Sequence, residues 1–136
     1  MNFIDNMMSN FFKPLRFLSS WFLRFGLGLA FIIHGYGKFP LPPENLMKYF
    51  GFPDLLASFV AISELTAGFL IIFGGFFNNS FGSVVTRFAA LIIVIIMVFA
   101  FVIAHQDWFI TKKLFTSEQI FLLIGGIYFL LKGNNT

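Results

Sequence analysis

The sequence predicts an all-α integral membrane protein: a four-helix transmembrane bundle preceded by an amphipathic helix in the membrane interface. Three observations carry that prediction. Hydrophobic residues make up 58% of the 136 positions and charged ones only 11%, whereas a soluble domain spends about a quarter of its residues on charge. The stretch 88-FAALIIVIIMVFAFVIA-104 is apolar without a break, and three further segments approach it in length and hydropathy. Residues 1–20 instead alternate apolar and polar positions at helical spacing. A chain this poor in charge cannot cover itself in water, so lipid is part of its solvent.

The elements follow in order. In residues 1–20, Ile4, Met7, Met8, Phe11, Leu15 and Leu18 share one face, with Asn2, Asp5, Asn6, Ser9, Lys13 and Arg16 opposite. That is the pattern of a helix lying in the interface, with a kink expected at Pro14. Arg24 interrupts the apolar region behind it and no small-residue cleavage site follows, which argues against a cleaved signal peptide. The transmembrane domain is expected over 21–131, with spans at about 21–39, 55–76, 83–104 and 114–131. The last is the shortest, ~24 Å if Thr116 caps it with Gln119 as the reciprocal partner of a capping box.

The connections agree with these bounds. Four of the five prolines fall in 40-PLPPENLMKYFGFPD-54, which cannot be one continuous helix, although 44–50 suits a short interfacial one. The stretch 77-FNNSFG-82 reads as a tight polar turn, and 105-HQDWFITKK-113 sets Trp108 beside charges, as at a headgroup boundary.

Lys and Arg counts set the orientation. With the N-terminus inside, Lys13, Arg16, Arg24, Arg87 and Lys132 lie on the inner side and Lys38, Lys48, Lys112 and Lys113 on the outer. The early basic cluster favours this arrangement, and four spans return the C-terminus to the cytoplasm. The net charge of +3 is spread along the chain and does not point to nucleic acid. The absence of cysteine excludes disulfides, thiolate metal sites and a dithiol relay within this chain.

Ionisable residues inside a span cost about 2.5–3.5 kcal/mol each on insertion scales and by default mark function. Glu64 is expected ~13 Å and His34 ~8 Å from the outer ends of their helices. Lys38, His105 and Glu118 fall near the same boundary, so five titratable groups from four helices converge in the outer half. Glu64, His34 and Lys38 are the candidate catalytic, proton-handling set; His105 and Glu118 are candidate cofactor-binding residues. Each has a structural alternative. Lys38 can snorkel to headgroups, Glu118 can complement a helix N-terminus, His105 can bond a carbonyl, and Glu64 can pair with Lys38 or His34. Arg24 and Arg87, near the inner boundary without an acidic neighbour in sequence, suit lipid phosphate or a structural role. His34, His105 and Glu64 are metal-ligating types, but their spacing does not support a metal site and none is expected. Gly28, Gly35 and Gly68 are among the glycines that allow close helix approach, Gly68 one turn from Glu64.

Taken together, 24-RFGLGLAFIIHGYGKF-39, 51-GFP-53, 64-ELTAGFLIIFGGF-76 and 87-RFAAL-91 resemble the DoxX family of small four-helix bacterial membrane proteins, over roughly residues 21–131. The resemblance implies a bacterial inner-membrane location and places Arg24, His34, Lys38, Glu64 and Arg87 at the family's recurring polar positions. It also implies redox work. Members of the DoxD type are subunits of a thiosulfate:quinone oxidoreductase, and other members are associated with redox complexes. The expected function is therefore a redox-associated, quinone-linked membrane subunit. Its cofactor is unassigned, with quinone as the candidate. No flavin fingerprint or haem motif is present, so electrons would come from a partner. The expected partners are the lipid bilayer and a soluble or membrane oxidoreductase subunit, with a homo-oligomer also open. The alternative is a non-catalytic scaffold or assembly subunit whose buried polar network fixes helix packing. A small transporter is a weaker third reading, because no inverted repeat or broken helix pair is evident.

Overall fold

The chain begins with α1 (Asn2–Phe12), which continues through a 3₁₀ turn at Lys13–Leu15 into α2 (Arg16–Tyr36). The short α3 (Glu44–Phe50) follows, then α4 (Asp54–Phe73) with a 3₁₀ turn to Phe76, and α5 (Ser80–Ile103). The small α6 (Lys112–Thr116) leads to α7 (Glu118–Lys132). The computed structural model describes residues 2–109 and 111–134, and no strand occurs among them.

Three helical stretches are long and apolar enough to cross a membrane: Asn2–Tyr36, Asp54–Phe76 and Ser80–Ile103. The 15 residues of α7 rise ~22 Å, short of a bilayer core of about 30 Å. The 3₁₀ turn at Lys13–Leu15 falls where Pro14 removes a backbone donor, and none of α1 is buried against the rest of the chain.

Two boundaries differ from the sequence expectation. The first long helix starts at Arg16, because nothing after Pro14 interrupts a helical backbone. It stops at Tyr36, where Gly35 and Gly37 lower helix propensity and prolines follow. Thr116 does not cap the last helix. Ser117 is its N-cap, without a side-chain cap bond, and the Thr116 hydroxyl donates to the Lys113 carbonyl inside α6. At the start of α5 the cap is made: Asn79 Oδ1 accepts from the Gly82 amide at 3.0 Å.

Small residues set the packing of α2 on α4. A Cβ at Gly28 would lie 2.9 Å from the Gly68 carbonyl, and one at Gly35 2.6 Å from the Leu65 amide nitrogen. These helices touch backbone to backbone, as membrane helices do where small residues face each other. Along α4 the buried positions are Ala57, Ala61, Glu64, Gly68 and Ile71, a seam that alternates steps of four and three residues, with Ala67 beside it. Ala89, Ala90, Ile93 and Met97 of α5 and Phe129 of α7 complete the core. Large apolar residues such as Phe22, Phe59, Phe69, Phe88, Phe99 and Leu131 point outward. In a soluble protein such a surface would aggregate; here it is the lipid-facing belt.

Gly35 fixes the relative depth of α2 and α4. Because it meets Leu65, α4 continues ~16 Å beyond the level at which α2 ends. The segment 40–53, with Pro43 buried, lies at that end of the bundle. α7 packs along α5 and reaches α2. Its first residue lies beside His34, and Asn134, just past its end, bonds the turn after α4.

Candidate functional site

Glu64 occupies the buried seam of α4 and is 8% exposed. A carboxylate at that depth needs a cation or a proton. The cation is Lys38: its Nζ lies 2.5 Å from Glu64 Oε2. Lys38 is not on the helix proper but just beyond its end, and its ammonium also donates to the His34 carbonyl at 3.2 Å. That carbonyl belongs to the last turn of α2, where the amides of Gly37, Lys38 and Phe39 go to Ile33, Gly35 and Tyr36 instead, so the lysine caps the negative end of the helix while neutralising Glu64. The side chains of Lys38 and Glu64 are 22% and 10% exposed, which makes this a largely desolvated pair joining α2 to α4.

A second pair sits beside the first. His34 Nε2 lies 3.1 Å from Glu118 Oε1, joining α2 to α7, with both side chains open to the surroundings. Four titratable side chains from three helices therefore form two adjacent pairs linked through the His34 backbone. The sequence offered His34 or Lys38 as partner for Glu64; the lysine takes that place and the histidine turns to Glu118. His105 is apart. It lies in the turn after α5 with its ring stacked on Trp108, centroids 3.7 Å apart, and makes no ion pair among the described residues. Nor do three His, Asp or Glu side chains converge on one point among the described residues.

The other end of the bundle is built around Arg24, which is 3% exposed. Its guanidinium donates to the Ile71 carbonyl at 2.5 Å, to Thr86 Oγ1 at 2.9 Å and to Asn134 Oδ1 at 2.8 Å. The Phe129 ring lies 4.5 Å from the guanidinium carbon, a distance at which its face attracts the cation. Asn134 completes the node, with its amide donating to the carbonyls of Gly74 and Phe77. Arg24 thus has protein partners where lipid phosphate was an open possibility, and all of them are neutral. Arg87 faces outward and donates to the Leu131 carbonyl at 3.3 Å.

Thr86 and Asn134 escaped the sequence reading. Thr86 carried a readable signal, being the one hydroxyl among 84-VVTRFAAL-91, next to an arginine. Asn134 carried none, since a polar residue after the last helix looks like any other tail residue.

The family model described as DoxX matches residues 20–106 of the chain. Neither the curated proteins nor the solved structures offer a match. The matched segment contains Arg24, His34, Lys38, Glu64, Arg87 and His105, and ends before Glu118.

Proposed function

The chain belongs to the DoxX family of membrane proteins, and on that premise we propose that it is a redox-associated, quinone-linked subunit of the bacterial inner membrane. In this reading Lys38 and Glu64 handle the proton and a partner oxidoreductase supplies the electrons. The observation that carries the proposal is the Lys38–Glu64 pair, two ionisable groups held in contact on the buried seam of a membrane bundle. Reduction of a quinone to its quinol consumes two electrons and two protons. The electrons have no carrier in this chain. A proton has one: the Lys38 ammonium donates to a quinone carbonyl oxygen, Glu64 stabilises the cation beforehand, and the pair is reprotonated past His34 and Glu118. The donor set fits that ligand, since an ammonium and an imidazole both hydrogen-bond to a carbonyl.

The same reading has α7 crossing the bilayer as a fourth span, α1 lying in the interface and both termini in the cytoplasm. The placement of Glu118 beside His34 and of Asn134 beside Gly74 supports a full-depth α7. The five-to-four excess of Lys and Arg on the inner side supports the orientation.

Glu64→Gln tests the proton role of the pair, because glutamine still accepts from Lys38 but removes the carboxylate charge that stabilises the ammonium and draws its proton back. In vesicles, with Trp21→Phe leaving Trp108 as the sole tryptophan, a short-chain quinone should quench fluorescence equally in both proteins. Partner-dependent quinone reduction should fall by roughly a hundredfold, the scale of general acid–base catalysis. Unchanged reduction rules the proton role out. A scaffold is the second reading, favoured by one observation: among the described residues every buried side-chain nitrogen and oxygen has a hydrogen-bond partner. A variant that loses partner assembly while any assembled fraction reduces quinone normally selects that reading.

A further inference from the structure

At the end of the bundle opposite Lys38 and Glu64, a groove of about 980 Å³ opens between the start of α5 and the end of α7, lined by Asn78, Asn79, Ser80, Ser83, Arg87 and Asn134. We propose that this groove binds a net-anionic phosphate group, carried by a lipid headgroup or by a soluble phosphate compound.

Charge is the first argument. The six acidic residues are Asp5, Glu44, Asp54, Glu64, Asp107 and Glu118. None lies on the elements that form the groove, 74–88 and 128–134, whereas Arg87 and Lys132 both do. Lys132 is turned to the Tyr128 hydroxyl, and Arg24 lies buried behind the groove wall, where its partners Ile71 O, Thr86 Oγ1 and Asn134 Oδ1 are all neutral. A guanidinium stays charged even where water is scarce, and its field is weakly screened there. Arg87 therefore stands on this concave surface with no acidic side chain among the described residues of the elements that form it.

The donors are the second argument. A phosphate oxygen accepts from guanidinium, hydroxyl and amide groups, and the groove presents all three through Arg87, Ser80 and Ser83, and Asn78. Arg87 has five N–H donors, and among the described residues one of them has a partner, the Leu131 carbonyl at 3.3 Å. A Cβ at Gly133 would stand 2.8 Å from Arg87 Nε, so the glycine leaves room for the guanidinium beside the groove. Size is the third argument. The volume lies at the upper end of the roughly 300–1,000 Å³ of small-molecule sites, larger than a lone ion needs and suited to a headgroup with its glycerol.

Full-length protein in maltoside micelles, which contain no phosphate, gives the reference melting midpoint. Phosphatidylglycerol, inorganic phosphate and an uncharged diacylglycerol with the same acyl chains are added separately, and retained lipid is counted by native mass spectrometry. The proposal expects phosphatidylglycerol or inorganic phosphate to raise the midpoint, and diacylglycerol to leave it unchanged. A rise with the lipid alone assigns a headgroup; a rise with inorganic phosphate as well assigns a soluble phosphate compound. Arg87→Gln should bind about tenfold more weakly, the loss of one charge-assisted hydrogen bond, and Arg87→Lys should recover part of the binding. If Arg87→Gln does not fold, Ser83→Ala carries the same test with a smaller loss. Diacylglycerol acting as well as phosphatidylglycerol, no response to either phosphate, or undiminished binding by the folded variants overturns the proposal.

Discussion

At the scale of single residues, Lys38 and Glu64 depend on each other for tolerance inside the bundle. Breaking a buried ion pair on one side leaves a charge without compensation, at a cost of about 3–5 kcal/mol, whereas replacing both members with apolar side chains is often neutral. Lys38 keeps a fifth of its side chain open, which moves the expectation to the low end of that range. Lys38→Met should therefore destabilise the protein by about 3 kcal/mol, and Lys38→Met with Glu64→Leu should recover most of the loss. Unfolding in mixed micelles measures both, and a double variant no more stable than the single one would count against mutual neutralisation. The titratable residues themselves were legible in the sequence, because charge in an apolar run stands out. Their pairing was not. Whether Glu64 meets His34 or Lys38 depends on where α2 ends, and two side chains four residues apart are equivalent candidates until that end is known. The Arg24 node was hidden for a different reason: its partners Thr86 and Asn134 lie 62 and 110 residues away in sequence.

At the scale of elements, the contact between α2 and α4 holds the pair in register, and glycine at two facing positions makes it. Gly68 and Gly26 provide a matched contrast. A Cβ on Gly68 would stand 2.7 Å from the Gly28 carbonyl and 2.8 Å from the Ile32 amide nitrogen, both of them backbone, while Gly26 has nothing within 4 Å. Gly68→Ala should force the helices apart and cost about 1–3 kcal/mol, the scale of overpacking. Gly26→Ala should stay within about 1 kcal/mol of the parent, because helix propensity is all that changes. Melting midpoints in detergent separate the two, and equal behaviour would remove close packing as the reason for Gly68. The sequence showed that these helices carry small residues, but not which glycine faces a neighbour. It was least informative at helix ends. The Thr116–Gln119 spacing satisfies a capping box on paper, yet the backbone turns at Ser117, since α6 uses the Thr116 hydroxyl for its own carbonyl.

At the scale of the whole molecule, the polar pairs and the phosphate groove sit at opposite ends of the bundle, so their functional meaning depends on how that bundle is threaded through the membrane. The 35 residues from Asn2 to Tyr36 would extend ~52 Å as one straight rod, well beyond a hydrocarbon core of about 30 Å. Either α1 projects into water, which its apolar face opposes, or the chain bends at Lys13–Leu15 and lays that face on the lipid. The protein has no native cysteine, so single substitutions with an impermeant maleimide read the threading directly. Asn45→Cys and Lys112→Cys should label from outside intact cells, whereas Asn78→Cys and Lys132→Cys should label only after permeabilisation. Lys112 and Lys132 bracket α7, and their appearance on the same side would mean that α7 does not cross. Ser9→Cys, on the polar face of α1, should react from the same side as Asn78→Cys, while a cysteine at Phe11 on the apolar face should be shielded by lipid. Equal labelling of positions 9 and 11 would place α1 in water and leave its hydrophobic face without a partner.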